Sequence, residues 1–192
     1  TTFSNNPNPA EVYGLEFEWQ TVFWYLPRPL NSMVLNVNYT RVWSEMDYQQ
    51  IRNVREGFDP VTFEPIIVEQ DTIRTARLEQ QGNHIVNVAL GSDYKGFSGR
   101  ISFRMQANVI TSVASRPEQD TFTGNIYGWD FTIRQQLPIE GLSVFLNGMN
   151  ITHSPTSDYR EFRREEGAES LRNLSTTRYS PRRFELGARY NF

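Results

Sequence analysis

His84 and His153 are the only imidazoles in the chain, and each falls where a strand-like segment meets a polar connection. Ser154 follows His153, so a serine–histidine dyad is the first chemistry to weigh. Consecutive residues of a strand project to opposite faces, which argues against that pair acting together. There are no cysteines, so a thiol nucleophile, a disulfide framework and a thiolate metal site are all excluded. No catalytic residue, metal ligand or cofactor site is assigned. Asn38, Asn150 and Asn173 each open an Asn-x-Ser/Thr triplet, a chance match in a chain so rich in these residues, and no function is attached to them. Arg160, Arg163 and Arg164 stand beside Glu161, Glu165 and Glu166, and the balanced signs favour a solvated, self-paired loop over an anion site. A larger polar set is spread along the chain: Glu16, Glu18, Gln20, Arg100, Arg104, Asp130, Arg134, Glu185 and Arg189. Each occupies the polar position of an alternating segment, and that alternation carries the rest of the reading.

The clearest segment is 101–109, where Ile101, Phe103, Met105, Ala107 and Val109 alternate with Ser102, Arg104, Gln106 and Asn108. A period of two means a strand with one apolar and one polar face. Tyr127, Trp129, Phe131 and Ile133 alternate with Gly128, Asp130, Thr132 and Arg134, and Phe184, Leu186, Ala188, Tyr190 and Phe192 with Glu185, Gly187, Arg189 and Asn191. Weaker versions start at Leu15, Leu35 and Val86, and the least regular is Leu142-Val144-Leu146, where Phe145 sits on the polar side. These windows predict seven strands and no helix.

Connection lengths alternate as well. The turns around Pro27-Arg28-Pro29, at Lys95-Gly96 and over 137–141 are short, whereas 47–82, 112–120 and 153–178 are long and polar. Aromatic residues make up 14% of the chain against a hydrophobic total of only 38%, and they gather beside the short turns: Phe23, Trp24, Tyr25, Tyr94, Phe97, Tyr190 and Phe192. A soluble antiparallel sandwich would account for any one strand. Tight turns at one end, extended loops at the other and interfacial aromatics together predict an all-β, antiparallel up-and-down transmembrane β-barrel, with each strand crossing the bilayer once. The longest apolar run, 22–26, is far too short for a membrane helix. The net charge of −3 and the lack of a basic block argue against nucleic acid as a partner.

The last eight residues, Glu185-Leu186-Gly187-Ala188-Arg189-Tyr190-Asn191-Phe192, resemble the signal that outer-membrane barrels present to the barrel assembly machinery, carried here by Glu185, Gly187, Tyr190 and Phe192. Tyr13-Gly14-Leu15-Glu16-Phe17-Glu18-Trp19, Leu35-Asn36-Val37-Asn38-Tyr39-Thr40 and Asn147-Gly148-Met149-Asn150-Ile151-Thr152 resemble barrel strands of TonB-dependent receptors, in family order and across nearly the whole chain. The resemblance implies a Gram-negative outer-membrane transporter importing a scarce solute such as a siderophore, glycan, cobalamin or peptide, and no enzyme. A non-transporting barrel, an adhesin or structural anchor, is the alternative, and a soluble lectin-like module a third. Family barrels have about 22 strands filled by a plug, so residues 1–192 are expected to be the C-terminal segment of a longer barrel domain, without the plug. No signal peptide stands at Thr1, which fits a mature or cut chain. The implied partners are outer-membrane lipid and lipopolysaccharide, the remaining barrel and plug, TonB acting through the plug, and the assembly machinery. Glu16, Glu18, Arg104, Asp130, Arg134 and Arg189 are expected to face the lumen.

Overall fold

The computed structural model describes residues 8–107, 109–162 and 171–192, and these are all-β with antiparallel sheets. Seven strands form the main sheet: β1 (Glu11–Val22), β2 (Met33–Phe58), β4 (His84–Tyr94), β5 (Phe97–Ala107), β8 (Ile126–Gln136), β9 (Leu142–Met149) and β12 (Arg183–Tyr190). Each holds all or most of one of the seven alternating windows, those at 101–109 and 184–192 running two residues past β5 and β12, and their order across the sheet is their order in the chain. Such a meander needs only local turns. No closed barrel is present among the described residues, and β1 and β12 are the two edges. Among the described residues no helix is long and apolar enough to cross a membrane.

The short turns lie together at one end. Lys95 and Gly96 both have positive φ, 47° and 78°, and connect the directly paired Tyr94 and Phe97. That is the backbone a two-residue hairpin requires, because its twist matches that of the flanking strands. At the β8–β9 turn the Leu137 N–H donates to the Leu142 carbonyl, and the Asn191 N–H donates to the Gly141 carbonyl at 2.9 Å. The end of the chain is thereby tied to the short-turn end, as the alternation of turns requires.

The opposite end departs from expectation, because the long connections are not irregular loops. β2 continues well past the main sheet and pairs over Met46–Phe58 with β3 (Pro65–Ala76), forming a projecting hairpin. Pro60 lies in its turn and Pro65 is the first residue of β3, positions where a missing N–H does no harm to the ladder. β6 (Val109–Ser112), β7 (Thr121–Thr123), β10 (Pro155–Phe162) and β11 (Leu171–Tyr179) build a second sheet in the order β11-β10-β7-β6. Val109, placed by its alternation on the end of the β5 window, belongs instead to β6, where it is only 4% exposed. Asn108 and residues 163–170, including Arg163, Arg164, Glu165 and Glu166, lie outside the described residues.

Register shows what the meander does to the alternation. Phe17 pairs with Tyr39, which pairs with Val86, which pairs with Met105, which pairs with Tyr127. The row beside it reads Trp19, Val37, Val88, Phe103, Trp129, and the next continues Leu35, Leu90, Ile101, Phe131, Gly148, Phe184. Through these rows one face of the sheet is apolar, and no second layer of the described residues covers it. Leu15 is 71%, Phe17 58%, Trp129 37% and Leu186 79% exposed. The only buried hydrophobic residues among those described, Ala107, Val109, Ile110 and Val113, sit where the two sheets meet.

Candidate functional site

The other face of the main sheet gathers the polar residues. Glu18 aligns with Asn38, Asn87, Arg104 and Gly128 in one row, and Gln20 with Asn36, Ala89, Ser102 and Asp130 in the next. Arg134 pairs with Ser98 and Phe145, and Arg189 with Ser143. Glu16, Glu18, Arg104, Asp130, Arg134 and Arg189 thus share one face, as do Gln20, Arg100 and Glu185.

This face is hydrogen-bonded along its length. Asn38 donates through Nδ2 to Glu16 at 2.6 Å, and Asn147 to Glu185 at 3.2 Å. Asp130 accepts the Asn150 N–H at 2.8 Å, while Asn150 donates from its side chain to the Ser180 carbonyl and accepts from the Ser154 N–H. The Asn147–Thr152 segment therefore ends β9 and fastens the start of the last connection to the strand beside it. Near the short turns, Ser98, Thr132, Arg134, Asn147, Glu185 and Arg189 line an open hollow of about 350 Å³.

Phe145, the aromatic on the polar face, lies directly across from Gly187. A Cβ on Gly187 would collide with the Phe145 ring. The irregular position of one strand and the glycine of another are two halves of one packing solution.

The two histidines have separate partners. His153 lies in the turn after β9 and stacks on Tyr179 with ring centroids 5.6 Å apart, and the Ser154 hydroxyl bonds the Thr152 hydroxyl. Both residues belong to a turn, so the strand-based reason for discounting the dyad does not apply, whereas these separate contacts do. His84 bonds Tyr39 through Nδ1 at 2.8 Å and Arg41 through Nε2. Among the described residues no group of three or more His, Asp or Glu is placed to hold a metal. Arg160, from the charged run, lies on β10 between Thr121 and Asn173.

A mostly buried ion pair escaped the sequence reading. Arg74 on β3 and Asp120, just before β7, form a bidentate pair at 2.5 Å, and Asp120 also accepts the Ala114 N–H. The pair is nearly dry, with side-chain exposures of 17% and 5%, and its hydrogen bonds hold the Arg74 guanidinium above its ordinary pKa. Glu79 accepts the Val113 N–H and Gln50 donates to the Val113 carbonyl. The projecting hairpin and the 112–120 connection are thereby locked together. The partners are far apart in sequence and carry no local pattern, so no signal pointed to them.

Comparison with known proteins finds no matching family model, no matching curated protein and no matching solved structure.

Proposed function

We propose that this chain is the C-terminal part of a Gram-negative outer-membrane β-barrel, of the TonB-dependent receptor type, that imports a scarce solute and performs no chemical catalysis. The observation that carries the reading is the uncovered apolar face of the seven-stranded meander, backed by a continuous polar face. In water such a face would be a large liability, since soluble monomers rarely expose apolar patches beyond a few hundred Å². In a bilayer it is the required outer surface, and the polar face becomes lumen wall. Edges β1 and β12 then need further strands, because unpaired backbone groups in hydrocarbon cost several kcal/mol each. The TonB-dependent assignment rests on the residue resemblances alone. The structured projection favours a second reading, a surface-binding barrel without transport, since a locked β-extension at the loop end is as apt for holding a partner as for capturing a solute.

Two measurements test this. The native full-length protein should fractionate with outer membranes and migrate faster on a gel before heating than after. Solute uptake that stops when the inner-membrane gradient is collapsed supports the importer, and gradient-independent binding without uptake supports the anchor. A freely soluble, heat-unmodifiable protein overturns both.

A further inference from the structure

The projecting hairpin leaves one strand edge and one face unused. Among the described residues β3 pairs only with β2, so its far edge presents a row of backbone N–H and C=O groups onto which another strand can add. A two-stranded ribbon is marginally stable by itself, and this one is braced by its lock to the 112–120 connection. Neighbouring residues of a strand alternate faces, and the lock commits the face that carries Gln50 and Arg74. The other face carries Gln49, Ile51, Asn53 and Arg55 on β2, opposite Ile73, Asp71, Glu69 and Ile67 on β3.

Along β3 that free face is apolar at its ends and acidic between them. Ile51, Ile67 and Ile73 are 61%, 61% and 63% exposed. Glu69 and Asp71 form no salt bridge among the described residues, and Arg55, the basic residue of this face, lies over the Phe58 ring at 5.0 Å. Gln49, Gln50, Ile51, Asp71, Thr72 and Ile73 line a hollow of about 540 Å³, which offers an apolar floor beside a carboxylate.

The charges decide which strand fits this edge. A second copy of β3 laid antiparallel about Gln70 would bring Ile67 opposite Ile73 but would also set Glu69 opposite Asp71, twice over. A register centred on Glu69 or on Asp71 sets that carboxylate against itself. Like charges directly opposed are destabilising, so the edge turns away its own copy. A strand with basic residues at two alternate positions, flanked by apolar ones, turns those repulsions into attractions.

We propose that the β3 edge captures an extended basic segment of another polypeptide as a third strand. Two of its Lys or Arg side chains lie opposite Glu69 and Asp71, and its apolar side chains lie against Ile67 and Ile73. This extends the surface-binding reading above, yet it needs only the exposed hairpin and stands apart from the membrane reading.

The test uses the full-length protein in a neutral detergent and a labelled synthetic peptide in which threonine alternates with valine, lysine, lysine and valine. Binding is read by fluorescence anisotropy. The lysine peptide should bind at least about tenfold more tightly than its glutamate counterpart, the scale of two exposed ion pairs set against two repulsions. N-methylation of successive backbone amides, which blocks both edges of the peptide, should weaken binding at least as much. Glu69→Gln together with Asp71→Asn should bring the lysine and glutamate peptides level, and Glu140→Gln in the β8–β9 turn should leave the preference intact. Equal binding of the two peptides by the wild type, or an undiminished preference in the double variant, overturns the site. The wild-type comparison decides even where the double variant fails to fold. Undiminished binding of the N-methylated peptide would mean adsorption by charge without an added strand, and would overturn the proposal. A dimer that dissociates on Ile67→Lys would give the edge to a second copy and overturn it as well. A wild type that fractionates with membranes yet shows no peptide preference sinks this inference alone, whereas a freely soluble wild type that keeps the preference supports it and sinks the membrane reading.

Discussion

Gly187 shows how much one residue decides. It sits across from Phe145, the single aromatic that broke the alternation of its strand, and any side chain there meets the ring. Gly187→Leu should destabilise the β9–β12 pairing by about 1–3 kcal/mol, the usual scale of overpacking, and Phe145→Ala in the same chain should recover most of it. Thermal unfolding of the two single variants and the double variant checks this, and additive losses would contradict the packing account. At the chain end, Phe192 is fully exposed and meets Tyr190 edge-on at 5.2 Å. If the terminal residues are the assembly signal, Phe192→Ala should lower the amount inserted in the membrane. Asn191→Ala should be nearly silent, because its structural hydrogen bond to Gly141 uses the backbone N–H. Equal insertion of the two variants would refute the signal.

Among the elements, the strands of the main sheet were legible and those beyond it were not, for one reason. Alternation marks a strand whose two faces meet different surroundings, as Ile101 to Ala107 do. β10, running Pro155-Thr156-Ser157-Asp158-Tyr159-Arg160, is polar on both sides, and β7 has only three residues. Their pairing is set by distant partners, and so is the lock between Arg74 and Asp120. Asp120→Asn should strip a mostly dry guanidinium of its counter-charge at roughly 3 kcal/mol, the low end for a broken buried pair because Arg74 keeps some water contact. Hydrogen exchange should then speed over β3 and 113–120 while the main sheet stays protected. Uniform acceleration would contradict a local lock. The tip of the hairpin is held by Asp59, which accepts the Val61 and Thr62 N–H groups at 2.7 and 2.9 Å. Those bonds, that of Thr62 foremost, hold its pKa below the ordinary value. A depressed carboxylate stabilises the fold above its unfolded pKa and loses that contribution as pH falls through the folded one. Exchange at Val61 and Thr62 should therefore lose its protection only in acid below the usual carboxylate range, and Asp59→Asn should abolish that pH dependence.

For the whole molecule, the register turns seven separate alternations into one two-faced sheet. The same residues that suggested the windows now form contiguous rows, with Leu15, Phe103, Trp129 and Leu186 on one side and Glu16, Arg104, Asp130 and Arg189 on the other. What the sequence could not convey was how the long connections fold, since nothing in a polar loop specifies which distant strand it will join. The central claim is that the apolar side meets lipid. Spin labels placed one at a time on cysteines replacing Ile101 through Gln106, in the full-length protein in bilayers, test it most directly. Positions 101, 103 and 105 should be relaxed by oxygen, which partitions into lipid, and 102, 104 and 106 by a water-soluble nickel complex, in strict alternation. Labels at 101, 103 and 105 that are immobile and reached by neither reagent would place them in a dry protein core, and the membrane account would be wrong.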